Sequence, residues 1–251
     1  MILRREISSD KSIPYHVLTR AVEGRKIFAK EADCLRFIFQ MYAANIGSPA
    51  PNLHRQDIIK IGRALLEGKE IPKNLIEKLI IVQHPPLVEI LSFVFVVDHN
   101  HFLFLPNVEN AIPKYMQKLN GGFAKYFNLK HGRKGVLFES RYKIIPIRTN
   151  FQLDAILRYI NIINPLDIYQ PGWRENGLKN EEDAFKFLNR YQHSSFPDLF
   201  GKRNSKILAS KELIRKYLGK EIIESREEYI NFIKDYLKNK LASLHSLLLE
   251  E

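Results

Sequence analysis

Residues 88–105 read VEILSFVFVVDHNHFLFL, and this stretch decides the fold. The run from Leu87 to Val97 is rich in β-branched and aromatic residues, which predicts a buried strand. Asp98 offers a turn, so HFLFL is predicted to pair back as the antiparallel partner. Side chains two apart on a strand point to the same face, and His99 and His101 are therefore expected to converge.

Two imidazoles on one strand face make a two-point ligand set for a divalent cation. A third oxygen or nitrogen ligand would still leave positions open for a phosphate and for water. Two histidines beside a turn are as often merely polar residues with partial exposure. The pair therefore suggests a metal site without deciding it.

The remaining pattern predicts an α+β fold, in which an antiparallel sheet carries helices on one face. A helical insertion is expected at about 47–86, and a helical appendage after Pro171. We divide the chain into a catalytic domain, 1–170, and a carboxy-terminal helical extension, 171–251. The other predicted elements are strands at 15–19 and 136–147 and helices at 33–44, 113–129 and 154–163, the last ending at Asn164-Pro165.

The charge balance favours a polyanionic partner. The chain has 251 residues, with 39 Lys and Arg against 28 Asp and Glu, which gives a net charge of +11. Cys34 is the single cysteine, which excludes an intramolecular disulfide and a cysteine-rich zinc site. A single cysteine also fits a reducing compartment, so a cytoplasmic protein is expected. No segment has the length and apolarity of a membrane span.

Basic residues are concentrated after the histidine strand. Nine of them, against one acidic residue, lie between Lys114 and Arg148. Interleaved aromatic side chains could stack on bases while the cations neutralise phosphates, although many of these aromatics are expected in the core. Arg141 and Lys143 would share one face of the predicted strand 136–147. The candidate DNA contacts are Arg20, Lys125, Arg133, Lys134, Arg141 and Lys143.

Tyr159 lies in the helical segment AILRYINIINP, near the edge of an apolar face. A tyrosine in such a place is usually a core or rim residue. The histidine pair and the basic stretch make it a candidate nucleophile, because a tyrosine can form a covalent phosphotyrosine when a metal polarises the phosphate.

Taken together, these residues resemble the HUH single-tyrosine transposases, and within them the REP-associated tyrosine transposase group. The resemblance is carried by YHVLTRAVEGRKIF, DHNHFLF, GGFAKYFNLKHGRKGVLFESRY and LRYINIINPLD. It covers residues 15–167 without the helical insertion, and it reaches weakly into YQHSSFPDLFG.

The resemblance implies a ferredoxin-like (RRM-like) catalytic domain that nicks and joins single-stranded DNA at sites marked by hairpins. His99 and His101 would hold Mg²⁺ or Mn²⁺. Tyr159 would attack a phosphodiester, giving a 5′-phosphotyrosine and a free 3′-hydroxyl. Relatives of this kind are homodimers or monomers, and both states stay open here.

The third metal ligand departs from the family pattern. Many relatives carry a polar residue four positions after the tyrosine, where this chain has Ile163. Asn164, five positions on, is the preferred candidate, since a wide final turn before Pro165 would bring its side chain round. Asn161 is the alternative, but two positions along a helix should point it away from Tyr159.

Two other functions remain open. A non-catalytic or domesticated nucleic-acid-binding protein would keep the sheet and the basic surface but need neither Tyr159 nor the histidines. A replication-initiator-type nicking enzyme would share the chemistry, although the tyrosine segment is more similar to transposases.

Overall fold

The computed structural model describes residues 10–51, 55–139, 141–218 and 226–239. Four strands form one antiparallel sheet in the order β4-β5-β1-β6, and two short strands pair as a separate ribbon, β2-β3. The strands are β1 (Tyr15–Arg20), β2 (Gly47–Pro49), β3 (Ile80–Val82), β4 (Val88–Phe95), β5 (His99–Pro106) and β6 (Lys143–Pro146).

Helices lie in the β1-β2, β2-β3 and β5-β6 connections and make up most of the described carboxy-terminal part of the chain. In the first two thirds they are α1 (Glu31–Ile46), α2 (Arg55–Glu67), α3 (Lys73–Leu79), α4 (Ala111–Lys130), α5 (Asn150–Arg158) and α6 (Asn164–Tyr169). After these follow α7 (Trp173–Asn176), α8 (Glu181–Arg190), α9 (Phe196–Leu199), α10 (Lys211–Leu218) and α11 (Arg226–Asn239).

The predicted mixed α+β architecture with an antiparallel sheet is confirmed. β4 and β5 form the expected hairpin, and β5 is central, flanked by β4 and β1. Every residue of β5 is buried. Phe102 and Phe104 face one core, and Leu103 and Leu105 face another, as the alternation of a strand requires.

The prediction that helices cover only one face of the sheet is wrong. Helices α1 and α4 pack on the face that carries Phe102. The opposite face, which carries Leu103, is covered by α5, α6 and residues of the carboxy-terminal helices, among them Trp173 and Leu188. Both faces of the two central strands are mostly apolar, so both need cover from water.

Two element boundaries also differ from the prediction. The strand expected at 136–147 is limited to β6, and Phe138 makes only an isolated bridge with Ala21. The helix expected to end at Asn164-Pro165 instead passes through a π turn, Tyr159–Ile163, into α6. The insertion is helical as expected, with α2 and α3, and the ribbon β2-β3 closes it at its base.

The division of the chain at residue 170 stays a prediction. Among the described residues, no helix is long and apolar enough to cross a membrane.

Candidate active site

The two histidines of β5 lie together on the face of the sheet that α5 and the π turn cover. His99 pairs with Arg20 across β1, and His101 pairs with Leu18. The imidazole rings are 5.1 Å apart between centroids and nearly perpendicular. His101 is fully buried and His99 is 7% exposed, so the pair lies inside the fold.

Asp98 orients the ring of His99. The carboxylate Oδ1 lies 2.6 Å from Nδ1 of His99, and Oδ2 lies 3.7 Å from the Arg20 guanidinium. These contacts, led by the hydrogen bond with His99, lower the pKa of Asp98 below its usual value. The carboxylate therefore holds one particular ring orientation, with Nε2 of His99 on the side away from Asp98.

A third imidazole, His16 on β1, completes this cluster. Its Nε2 lies 2.9 Å from Nδ1 of His101, and the two rings stack with centroids 5.2 Å apart. His16 is fully buried. It was not predicted as a site residue, because its partner is 85 positions away and the contact exists only through the β1-β5 register.

Tyr159 lies against these rings. Its ring centroid is 5.4 Å from that of His101 and 6.4 Å from that of His16, in edge-on geometry in both cases. Tyr159 opens the π turn and is fully buried. The structure thus brings the predicted nucleophile and the predicted metal ligands into one cluster, although they are far apart in sequence.

A cation that the sequence did not reveal lies over the tyrosine. The guanidinium of Arg174 is 5.6 Å from the centre of the Tyr159 ring. Asp167 holds it in place, since its carboxylate accepts hydrogen bonds from both Arg174 and the Trp173 indole. Arg174 follows the Pro171-Gly172 break, outside the segment on which the resemblance rests, and only the tertiary contact identifies it.

The π turn decides which asparagine lies near Tyr159. Five residues make about one turn of such a helix, and the backbone N–H of Asn164 donates to the Tyr159 carbonyl. The Asn164 side chain donates to the same carbonyl at 3.2 Å. Asn161 is instead occupied by Ser92 and Ser195, in hydrogen bonds of 2.9 and 2.6 Å. These contacts favour Asn164 over Asn161 as the residue close to the site.

The predicted DNA contacts fall into two groups. Arg20 on β1 and Lys143 on β6 are on the same face of the sheet as the histidines. Arg20 pairs with His99, and Lys143 pairs with Leu18, which in turn pairs with His101. Lys134 and Arg141 are exposed. Glu139, which lies between them in sequence, is next to Arg20, because its N–H donates to the Arg20 carbonyl. Arg141 precedes β6, so it does not share a strand face with Lys143.

Arg133 and Lys125 have different surroundings. The Arg133 guanidinium donates a hydrogen bond of 2.6 Å to the Asn128 side-chain oxygen and so stabilises the loop in which Arg133 lies. Lys125 is exposed on α4, in the layer on the other side of the sheet from His101. The described ranges contain no group of three or more His, Cys, Asp and Glu side chains that could hold a metal ion.

A family model described as "Transposase IS200 like" matches residues 52–162. The matched region includes both histidines of β5 and Tyr159. This match confirms the predicted resemblance to the single-tyrosine transposases. The IS200-like match begins within the helical insertion and ends before Asn164, so it leaves out β1 with His16 and Arg20.

A solved structure of a REP-associated tyrosine transposase bound to a REP hairpin is also similar to this chain. The identity is 14%, the similarity covers 81% of this chain and 88% of that chain, and the TM-score is 0.42. No curated protein matches the chain.

Proposed function

We propose that this chain is a metal-dependent tyrosine transposase that nicks and rejoins single-stranded DNA at hairpin-marked sites. The observation that carries the proposal is the convergence of Tyr159 with His101 and His99 on one face of the sheet. Basic side chains on the same face, Arg20 and Lys143, supply phosphate contacts beside it.

In the proposed reaction the Tyr159 oxygen attacks a phosphodiester and the bond from phosphorus to the 3′ oxygen breaks. The products are a 5′-phosphotyrosine and a 3′-hydroxyl that takes up the phenolic proton through solvent. Attack by another 3′-hydroxyl on the phosphotyrosine reverses the step and joins strands. Arg174, which Asp167 holds over the Tyr159 ring, would favour the phenolate form of the attacking tyrosine.

The donor chemistry at the histidines fits a divalent cation such as Mg²⁺ or Mn²⁺. Both rings use Nδ1 for contacts within the protein, to Asp98 and His16, so Nε2 would be the ligand atom of each. Asn164 would contribute an amide oxygen. A bound cation would polarise the scissile phosphate.

One observation favours the second candidate, a nucleic-acid-binding protein without catalysis. Tyr159 is fully buried, so a DNA strand can reach its hydroxyl only after some of the covering segments move. The two candidates differ in a single measurable product, the covalent adduct.

The test is incubation of the full chain with a panel of single-stranded hairpins and Mg²⁺ or Mn²⁺, followed by denaturing electrophoresis. We expect an adduct with the wild type and none with Tyr159→Phe, while hairpin binding stays nearly unchanged. Tyr169→Phe, which removes a hydroxyl ten residues away, is the matched control and should form the adduct. An adduct in Tyr159→Phe would refute the nucleophile, and no adduct with any hairpin would favour the binding protein.

A further inference from the structure

A cavity lies on the other side of the sheet from the histidines, between the insertion helix α2 and helices α1 and α4. Its volume is about 500 Å³. One part of its wall is apolar and the other is basic. The residues on which the argument rests are Arg36, Ile58, Ile59, Lys125, Leu129 and Lys130.

Arg36 is the unusual member of this wall. Arg36 is only 8% exposed. Among the described residues, no carboxylate contacts its guanidinium. Its hydrogen bond goes to the neutral Gln40 amide, at 2.9 Å, and its guanidinium lies over the rings of Phe39 and Tyr126, at 5.4 and 5.2 Å. Burial lowers the pKa of Arg36 to about 10, so the side chain still carries its charge at neutral pH.

The nearest acid on α1 does not neutralise this charge. Asp33 accepts hydrogen bonds from Lys130 and from the Tyr126 hydroxyl, so its carboxylate is already occupied. Lys125 adds a further exposed cation at the cavity. The cavity is therefore electropositive as well as partly apolar.

A buried charge without a counterion is costly, and an apolar side chain of similar size would remove that cost. A guanidinium has five N–H donors in a planar fork that matches the oxygens of a phosphate. An anion in the cavity would supply a counterion, while Ile58, Ile59 and Leu129 offer an apolar wall for a sugar or base.

We propose that this cavity binds a phosphate group, carried either by a nucleic-acid strand or by a free nucleotide. The proposal is independent of the proposed function, because Arg36 and the histidine cluster lie on opposite sides of the sheet.

The experiment follows the melting temperature of the full chain in metal-free, phosphate-free buffer. Three probes are titrated separately: inorganic phosphate, dTMP, and a ten-nucleotide oligo-dT without terminal phosphate. We expect at least one probe to raise the melting temperature of the wild type, since a ligand of the native state stabilises it. The probe that acts at the lowest concentration identifies the source of the phosphate.

Variants then locate the binding. Arg36→Met should melt at or above the wild-type temperature without a probe and should lose roughly tenfold or more in affinity, because a charge-assisted contact is removed. Lys125→Gln, at an exposed position, should bind more weakly while folding normally. Lys114→Gln is the matched control, on the same helix and nearly the same side, about 16 Å away.

Two outcomes would overturn the proposal where Arg36→Met folds. One is the absence of stabilisation of the wild type by all three probes. The other is wild-type affinity in Arg36→Met. Should Arg36→Met fail to fold, equal affinities of Lys125→Gln and Lys114→Gln would overturn it.

Discussion

A hydrogen bond between two buried imidazoles sets the orientation of the candidate ligand His101. Nε2 of His16 and Nδ1 of His101 are 2.9 Å apart, and the partner is fixed by the pairing of β1 with β5. His99 is held in the same way by a hydrogen bond between its Nδ1 and the Asp98 carboxylate. At metal sites such outer partners fix the ring tautomer and orientation, and their loss typically costs 10–100-fold in metal affinity.

We expect His16→Phe to need roughly 10–100-fold more Mn²⁺ for half-maximal adduct formation, because the ring volume is kept but the hydrogen bond is lost. His16→Gln can still hydrogen-bond Nδ1 and should lie close to the wild type. Mn²⁺ binding measured by electron paramagnetic resonance should follow the same order, with melting temperatures as the check on folding. Equal Mn²⁺ affinity in both variants would assign His16 a packing role only.

At the scale of elements, the sequence predicted the wide turn at Tyr159–Ile163 but not the helix that continues after it. A wide turn before Pro165 was expected because the residue before proline avoids helical angles. The chain instead continues helically, because the π turn shifts the hydrogen-bond pattern and Pro165 then falls in the first turn of α6, where its missing N–H costs nothing.

The hairpin β4-β5 could be predicted from the sequence because its signals are local. The β-branched and aromatic run predicts β4, and the segment HFLFL after Asp98 predicts its partner β5. His16 and Arg174 left no local signal, because their roles depend on contacts with His101 and Tyr159 that only the folded chain makes.

We expect substitution of Asn161 to lower stability and substitution of Asn164 to raise the metal requirement. Asn161→Ala removes two buried hydrogen bonds, one with the Ser92 hydroxyl and one with the Ser195 hydroxyl, so we expect a loss of about 1–3 kcal/mol in the free energy of unfolding. Its metal requirement should stay that of the wild type. Asn164→Ala should instead raise the Mg²⁺ concentration needed for adduct formation.

Urea unfolding and Mg²⁺ titrations of both variants check this pair. If Asn161→Ala raised the Mg²⁺ requirement and Asn164→Ala did not, Asn161 would be the metal ligand and Asn164 the structural residue.

At the scale of the whole molecule, the carboxy-terminal part of the chain is joined to the sheet. Residues 193–195 run along the edge of β4, where the Phe95 N–H donates to the His193 carbonyl and the Ser195 N–H donates to the Phe93 carbonyl. The Tyr191 hydroxyl donates to the Phe95 carbonyl at 2.6 Å. This cover protects an edge strand that would otherwise present open hydrogen-bonding groups.

His193 makes this junction sensitive to acid. Burial lowers the pKa of His193 to about 4, whereas a histidine in an unfolded chain titrates near 6.5. The unfolded state therefore binds the proton first, and stability is lost as the pH falls from about 6.5 towards 4. The loss from this one group is on the order of 3 kcal/mol.

We expect His193→Phe, which keeps a ring beside Phe95, to lose less stability than the wild type between pH 7 and pH 4.5. Urea unfolding at both pH values gives the two differences, and carboxylates common to both proteins cancel in the comparison. The wild type should fall further by roughly 1–3 kcal/mol. Equal losses in the two proteins would mean that His193 is protonated as readily in the folded chain as in the unfolded one.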